Sequence, residues 1–212
     1  MKLYSFFNSS TSFRVRIALT LKGLSYEYIG VNLRSGEQGR EEYRALSPAA
    51  IVPTLVDGDV KLTQSIAIID YLDQRQPEPR LIPVDPLERA RVLEIAQTIA
   101  CEIHPVNNIR VLKYLTGTLG VSEADKSAWY KHWVDEGLLA VESLLAAGPK
   151  SNFCLGETPT LADCCLVPQV ANAVRMGCDL SRFERIRAIY AHCMTHAAFI
   201  QASPQNQPDY IA

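Results

Sequence analysis

Three prolines fall within the eight residues Gln76-Pro77-Glu78-Pro79-Arg80-Leu81-Ile82-Pro83. Proline fixes φ, donates no amide hydrogen bond and holds the residue before it out of the helical region. Neither a helix nor a central strand runs through such a stretch. The 212-residue chain is therefore expected to divide there, into 1–80 and 86–212.

The two sides read differently. Before the break, Lys2-Leu3-Tyr4-Ser5-Phe6-Phe7 reads as a strand and Phe13 to Lys22 as a helix stopped by Gly23. Tyr26 to Val31 is a second strand, rich in aromatic and branched residues. Arg34 to Arg44 reads as a loop leading into a short helix that ends near Leu46. Val52 to Val56 and Asp59 to Leu62, joined through Asp57-Gly58, read as a hairpin. Pro53 must start its strand or lie on an edge, because it cannot donate to a ladder. Ser65 to Gln74 is helical, with Ile66, Ile69 and Leu72 in register. A strand–helix–strand start followed by a hairpin gives an α/β domain, a mixed sheet with helices packed on it.

After the break the pattern is all-α. Pro86 to about Leu119 reads as one long helix, which Pro105 should kink near Cys101. Ser122 to Ala147 is a second helix, closed by Gly148-Pro149. Thr160-Leu161-Ala162-Asp163 is a capping-box variant opening a third helix to about Met176, with Asp where Glu or Gln is usual. Arg182 to Ala202 supplies one or two more, and the tail from Pro204 reads as irregular.

Composition excludes several classes. Net charge is −2, so nothing favours a nucleic-acid or membrane-surface partner. The first twenty residues hold Arg14 and Arg16 and no long apolar run, so no signal peptide is expected. No stretch of about eighteen apolar residues suggests a membrane span. The six cysteines form no C-x-x-C, which fits neither a disulfide framework nor a metal site. They suit a reducing cytoplasm.

Ser9-Ser10-Thr11-Ser12 lies where a strand turns into a helix. The first N–H groups of a helix lack internal partners and carry partial positive charge, so added hydroxyls make a site for an anion such as a thiolate. A serine cap within a turn explains the same residues. Gln64-Ser65 opens the next helix and suits a carboxylate, or a simple cap. Val52-Pro53 offers strand backbone to a peptide-like ligand, or is a turn proline. His104, Asn107, Asn108 and Arg110 form a polar interruption beside the kink; they line a pocket or a solvated face, and a solvated face is the simpler reading for Asn107. Arg175 near the end of its helix is a ligand cation or a complement to the helix dipole.

The order of these stretches carries more than any one of them. The run SSTSFRVRIALTLKG, then VPTL, QSIAIIDYL, HPVNNIRVLKYL and GETPTLADCCLVPQVANAVR resembles the zeta class of glutathione transferases, the maleylacetoacetate isomerase family, from Met1 to about Pro208. The resemblance implies a thioredoxin-like first domain, with Pro53 cis, and an all-helical second domain. It implies a cytosolic homodimer that uses glutathione as a catalyst. Ser10 would be the main donor to the thiolate, beside Ser9 and Thr11. Ser12, Arg14, Gln38, Val52, Pro53, Gln64, Ser65, His104 and Asn108 would bind glutathione. Arg110 and Arg175, with position 8, would hold the carboxylates of a cis-unsaturated keto dicarboxylate.

The implied reaction is cis–trans isomerisation of maleylacetoacetate to fumarylacetoacetate in tyrosine and phenylalanine catabolism, by thiolate addition, bond rotation and elimination. No metal is required. The alternatives are a maleylpyruvate isomerase of gentisate-type degradation, a general glutathione transferase, and a non-catalytic binding protein of the same fold. Two departures stand out. Many family members have Arg before the paired serines, where this chain has Asn8. Many have Cys or Ala third in the motif, where this chain has Thr11.

Overall fold

The computed structural model describes residues 1–211. Four strands form one sheet: β1 (Lys2–Ser5), β2 (Glu27–Gly30), β3 (Thr54–Asp57) and β4 (Val60–Thr63), in the order β2-β1-β3-β4. β1 and β2 are parallel, Leu3 opposite Tyr28; β3 runs antiparallel to β1 and β4. The parallel pair needs a crossover, and α1 (Ser10–Leu21) supplies it. The β3–β4 hairpin turns at Gly58, whose φ of 61° suits a residue without Cβ. Helices α2 (Glu41–Arg44) and α3 (Ser65–Arg75) complete the expected α/β arrangement. Leu3, Val15, Ile17, Leu19, Leu55, Ile68, Ile69 and Leu72 form its core, fully buried.

β1 stops at Ser5, two residues earlier than expected. Phe6 and Phe7 instead enter a turn, where the Phe6 carbonyl accepts from Ser9 N–H at 3.0 Å. α1 in turn starts at Ser10, before Phe13, so Ser10, Thr11 and Ser12 lie inside its first turn.

The proline-rich stretch is packed. Lys22 and Asp73 form an ion pair of 2.8 Å with both side chains fully buried. Lys22 Nζ also donates to the carbonyls of Gln76 and Pro79, and the Asp73 carboxylate accepts from the amides of Leu81 and Ile82. A buried ion pair needs such hydrogen bonds to offset its desolvation. The first unit therefore holds the chain through Ile82, and the second runs from Pro83 to Cys193.

The segment from Met194 onward groups with the first unit, although 86–212 was expected to form one domain. Its α9 (Ala197–Ala202) packs on α1, and the buried Arg16 donates through Nε to the Ala202 carbonyl at 2.9 Å. Charged residues in an apolar-periodic helix gave no reason to place Arg16 inside. Ala212, the last residue of the expected second domain, lies outside the described residues.

The second unit is helical: α4 (Pro86–Gln97), α5 (Ile109–Gly117), α6 (Glu123–Ala146), α7 (Leu161–Arg175) and α8 (Glu184–Cys193). The long helix expected to Leu119 is broken. α4 passes into a π-helical segment, Thr98–Ile103, then a turn through Asn108, before α5. Pro105 accounts for the stop, and the wider segment precedes it. Gly137 lets α6 approach this segment, since a Cβ there would sit 2.2 Å from Ile103 Cγ1. The capping box of α7 closes as read: the Asp163 carboxylate accepts from Thr160 N–H at 2.8 Å.

Candidate active site

The first unit brings three backbone features together around the start of α1. Ser9 is the N-cap, its Oγ accepting from Ser12 N–H at 3.2 Å. The Ser9 and Thr11 hydroxyls lie 2.9 Å apart, and Thr11 Oγ1 donates to the Val52 carbonyl at 3.0 Å. That bond ties the serine turn to the Val52–Pro53 peptide, which is cis. Asn8 immediately precedes the cap and is partly buried. Ser10 is the first helical residue and is 5 % exposed.

At the start of α3, Gln64 adopts φ 71° and ψ 114° and Ser65 is the first helical residue. A non-glycine residue at such a φ costs roughly 1–3 kcal/mol and is found where a ligand clamp makes use of it. Arg14 connects the two helix starts: its Nη1 donates to Ser65 Oγ at 3.3 Å. Arg14 is 1 % exposed, and among the described residues its Nε and Nη2 have no hydrogen-bond partner; nor has the buried Ser12 Oγ. Unmet buried donors are costly. Two helix N-termini, free donors beneath them and a strand backbone beside them suit an anionic, peptide-like ligand. Gln38 lies in a separate 3-10 turn, Glu37–Gly39; among the described residues its Oε1 is buried with no partner.

In the second unit, Asn108 caps α5, its Oδ1 accepting from Arg110 N–H at 3.1 Å, while its Nδ2 lies 3.3 Å from His104 Nε2. The side chain of Arg110 is exposed. Asn107 is not on a solvated face. Its Nδ2 donates to the Tyr130 carbonyl at 3.1 Å and its Oδ1 is buried. Trp129 Nε1 donates to the Val106 carbonyl at 3.0 Å, so α6 braces the whole turn from His104 to Asn108. Arg175 ends α7, is exposed, and donates through Nη2 to Asn172 Oδ1. Burial pushes the Tyr130 hydroxyl up to about 12, and the nearby Arg175 charge opposes the shift.

Two positions of consequence carried no mark in the sequence reading. Arg16 donates to Ser5 Oγ and to the carbonyls of Phe6 and Phe7, just before the turn. Burial pulls its guanidinium down to about 10, against Tyr28, Tyr26 and Asp209, so it stays charged at neutral pH. The other is Asp209, whose carboxylate meets the same segment. Gly137 was detectable: a glycine inside a long helix costs about 1 kcal/mol relative to Ala and so marks a close approach.

Residues 3–80 match the family model of the glutathione S-transferase N-terminal domain, and residues 114–194 that of the C-terminal domain. The chain is 46% identical to a probable maleylacetoacetate isomerase of Vibrio cholerae, over 98% of this chain and 97% of that protein. It superposes with a TM-score of 0.97, at 47% identity and over 100% of both chains, on a bacterial maleylpyruvate isomerase described as a zeta-class glutathione S-transferase. The chain belongs to the zeta-class glutathione transferase family.

A maleylacetoacetate isomerase from Methylobacterium extorquens, solved with bound malonate and glutathione, superposes with a TM-score of 0.96 at 33% identity, over 100% of both chains. The glutathione transferase fold is thus shared along the whole chain. The serine turn, the Val52–Pro53 peptide and Gln64-Ser65 all lie within the N-terminal family match.

Proposed function

We propose that this zeta-class glutathione transferase is a glutathione-dependent isomerase that converts maleylacetoacetate to fumarylacetoacetate. The observation that carries the reading is the serine turn at the start of α1, tied by Thr11 to the Val52 carbonyl and by Arg14 to Ser65. Relatives of nearly full coverage carry that isomerase name, and one holds glutathione together with a dicarboxylate. The residues present fit glutathione, because a tripeptide thiol offers an extended backbone, carboxylates and a sulfur to a strand edge and two helix N-termini. When bound, glutathione supplies a thiolate that adds reversibly to the activated double bond and so permits rotation about it.

The chain's own residues do the rest. The Ser10 hydroxyl and the α1 N-terminus favour negative charge at the sulfur. A free thiol has a pKa of about 8.5; lowering it by about two units corresponds to roughly 2.7 kcal/mol of preferential stabilisation. Ser9 and Thr11 keep the turn in shape, since their hydroxyls are engaged with Ser12 N–H and the Val52 carbonyl. The Val52 backbone aligns the cysteinyl part. Gln64 and Ser65 hold the γ-glutamyl end, with Arg14 beneath. Ser12, Gln38, His104 and Asn108 complete the glutathione set. Arg110 and Arg175, both exposed, grip the substrate carboxylates through planar forks, and Asn8 adds a neutral contact where the charge is absent.

Maleylpyruvate is the second candidate substrate, since a relative at 47% identity is named for it. Turnover of the two acids side by side, with and without glutathione, tests the assignment. A higher kcat/KM for maleylacetoacetate supports it, and a higher value for maleylpyruvate transfers the assignment. Glutathione-independent turnover overturns the mechanism. We place the enzyme in the cytoplasm as a homodimer, in aromatic catabolism. The free cysteines suit a reducing compartment. Light scattering checks the dimer.

A further inference from the structure

We propose that Asp209, on the segment after α9, is a positioning residue for thiol activation: it fixes the backbone of Phe7 and thereby the serine turn. Asp209 Oδ2 accepts from Phe7 N–H at 3.1 Å, and Oδ1 accepts from the Tyr28 hydroxyl at 2.5 Å. The carboxylate thus bridges β2 to the residues just past β1. Tyr210 adds an edge-on contact to the Phe7 ring, with centroids 5.4 Å apart. Asp209 packs over Gly30, where a Cβ would lie 3.4 Å from Asp209 Cβ, an ordinary van der Waals contact.

Arg16 of α1, braced by α9, holds the other side of the peptide run. Arg16 Nη1 and Nη2 donate to the carbonyls of Phe6 and Phe7, while Nε is held by the Ala202 carbonyl. Residues 6 and 7 are therefore fixed at both carbonyls through Arg16 and at one amide through Asp209. The next bonds along the chain are those of the turn: Ser9 N–H to the Phe6 carbonyl, then Ser12 N–H to Ser9 Oγ. A shift of Phe7 moves the cap, and with it Ser10.

Electrostatics and geometry predict opposite results here. A carboxylate near a thiolate disfavours it, so the charge of Asp209 does not help the chemistry. Its contribution is the pair of hydrogen bonds it accepts. An asparagine keeps an acceptor for Phe7 N–H and removes the charge; an alanine removes both.

This inference rests on the glutathione reading, and the wild-type arm of the test checks that reading by itself. The thiolate absorbance of bound glutathione is titrated in the full chain for wild type, Asp209→Ala, Asp209→Asn and Tyr28→Phe, alongside kcat, KM for glutathione and thermal melting. Asp209→Ala is expected to raise the bound-thiol pKa by about one unit and lower kcat about tenfold, with KM for glutathione changing less than about threefold. Asp209→Asn should stay within about twofold of wild type, and Tyr28→Phe should fall between. A merely structural role would lower the melting temperature and leave the bound-thiol pKa of the folded protein unchanged. A wild-type pKa in Asp209→Ala, or an Asp209→Asn as defective as the alanine variant, overturns the proposal. If the alanine variant does not fold, a wild-type pKa and kcat in Tyr28→Phe overturn it. A wild type that does not lower the thiol pKa overturns the glutathione reading itself, and this inference falls with it.

Discussion

The starts of α1 and α7 are both capped by a hydroxyl residue, yet they are finished in different ways. At α7, Asp163 is fully buried and its carboxylate is spent: it accepts from the amides of Cys154 and Thr160 and from the Thr160 hydroxyl, all within 2.8 Å. At α1, Ser9 satisfies one amide, and beneath it Arg14 Nε, Arg14 Nη2 and Ser12 Oγ are buried with no partner among the described residues. Among the described residues, no buried side-chain nitrogen or oxygen at the α7 start lacks a partner, and three at α1 do. Since an unmet buried donor costs about 1–3 kcal/mol, a ligand that met these groups would recover that energy, as the proposed glutathione site requires. In the proposed mechanism one helix start is scaffold and the other is site.

The largest expected effect breaks the closed end. Asp163→Ala strands the buried amides of Cys154 and Thr160, so it should cost about 3 kcal/mol, more than the roughly 1 kcal/mol of an ordinary cap. Denaturant unfolding measures this. The Cys154 thiol, pushed up by burial and the Asp163 carboxyl, should become reactive to a thiol reagent in the variant. The kinetics of the folded fraction should remain near wild type. Loss of catalysis at full stability would make Asp163 a site residue.

The open end should fail differently. Ser10→Ala should lower kcat by up to roughly a hundredfold, the rate equivalent of about 2.7 kcal/mol, with unfolding little changed, because Ser9 and not Ser10 caps the helix. Equal losses of stability in Ser10→Ala and Asp163→Ala would erase the distinction between the two helix starts.

Much of this contrast was readable in the sequence. The Ser9–Ser12 run, Val52-Pro53, Gln64-Ser65 and the Thr160–Asp163 box all announce themselves through short-range rules: a hydroxyl before a helix, a proline before a strand, an acid three residues after a cap. The mixed sheet and its hairpin were readable from the strand–helix–strand start and the Asp57-Gly58 turn, while the order β2-β1-β3-β4 came only with the structure. What stayed hidden depends on long-range packing. Arg16 looks like a surface charge until the Ala202 carbonyl and two turn carbonyls receive it. Asp209 sits in a polar tail, and only its contact with Phe7 and Tyr28 gives it a role. Gly137 marks a close approach within its helix, but only the packing shows that its partner is Ile103 of the π segment before Pro105.

Smaller effects sharpen the comparison. Arg110→Lys and Arg175→Lys should each lower kcat/KM by about thirtyfold, equivalent to about 2 kcal/mol, because an ammonium does not reproduce a bidentate fork. Steady-state kinetics with both acids measures this, and wild-type values in both variants would make these arginines structural. Asn8→Arg should raise kcat/KM for a dicarboxylate by adding a cation beside the turn. Ser12→Ala should be smallest and of opposite sign, stabilising the fold by about 1 kcal/mol in unfolding, since it removes a buried hydroxyl that has no partner among the described residues. A larger loss in glutathione affinity than in stability would mark Ser12 as a ligand contact.

The claim that the open end of α1 activates a thiol is tested most directly by titrating the thiolate absorbance of glutathione bound to the wild-type protein. A bound-thiol pKa about two units below the free value of about 8.5 is the predicted result. A bound thiol that titrates like free glutathione would contradict it.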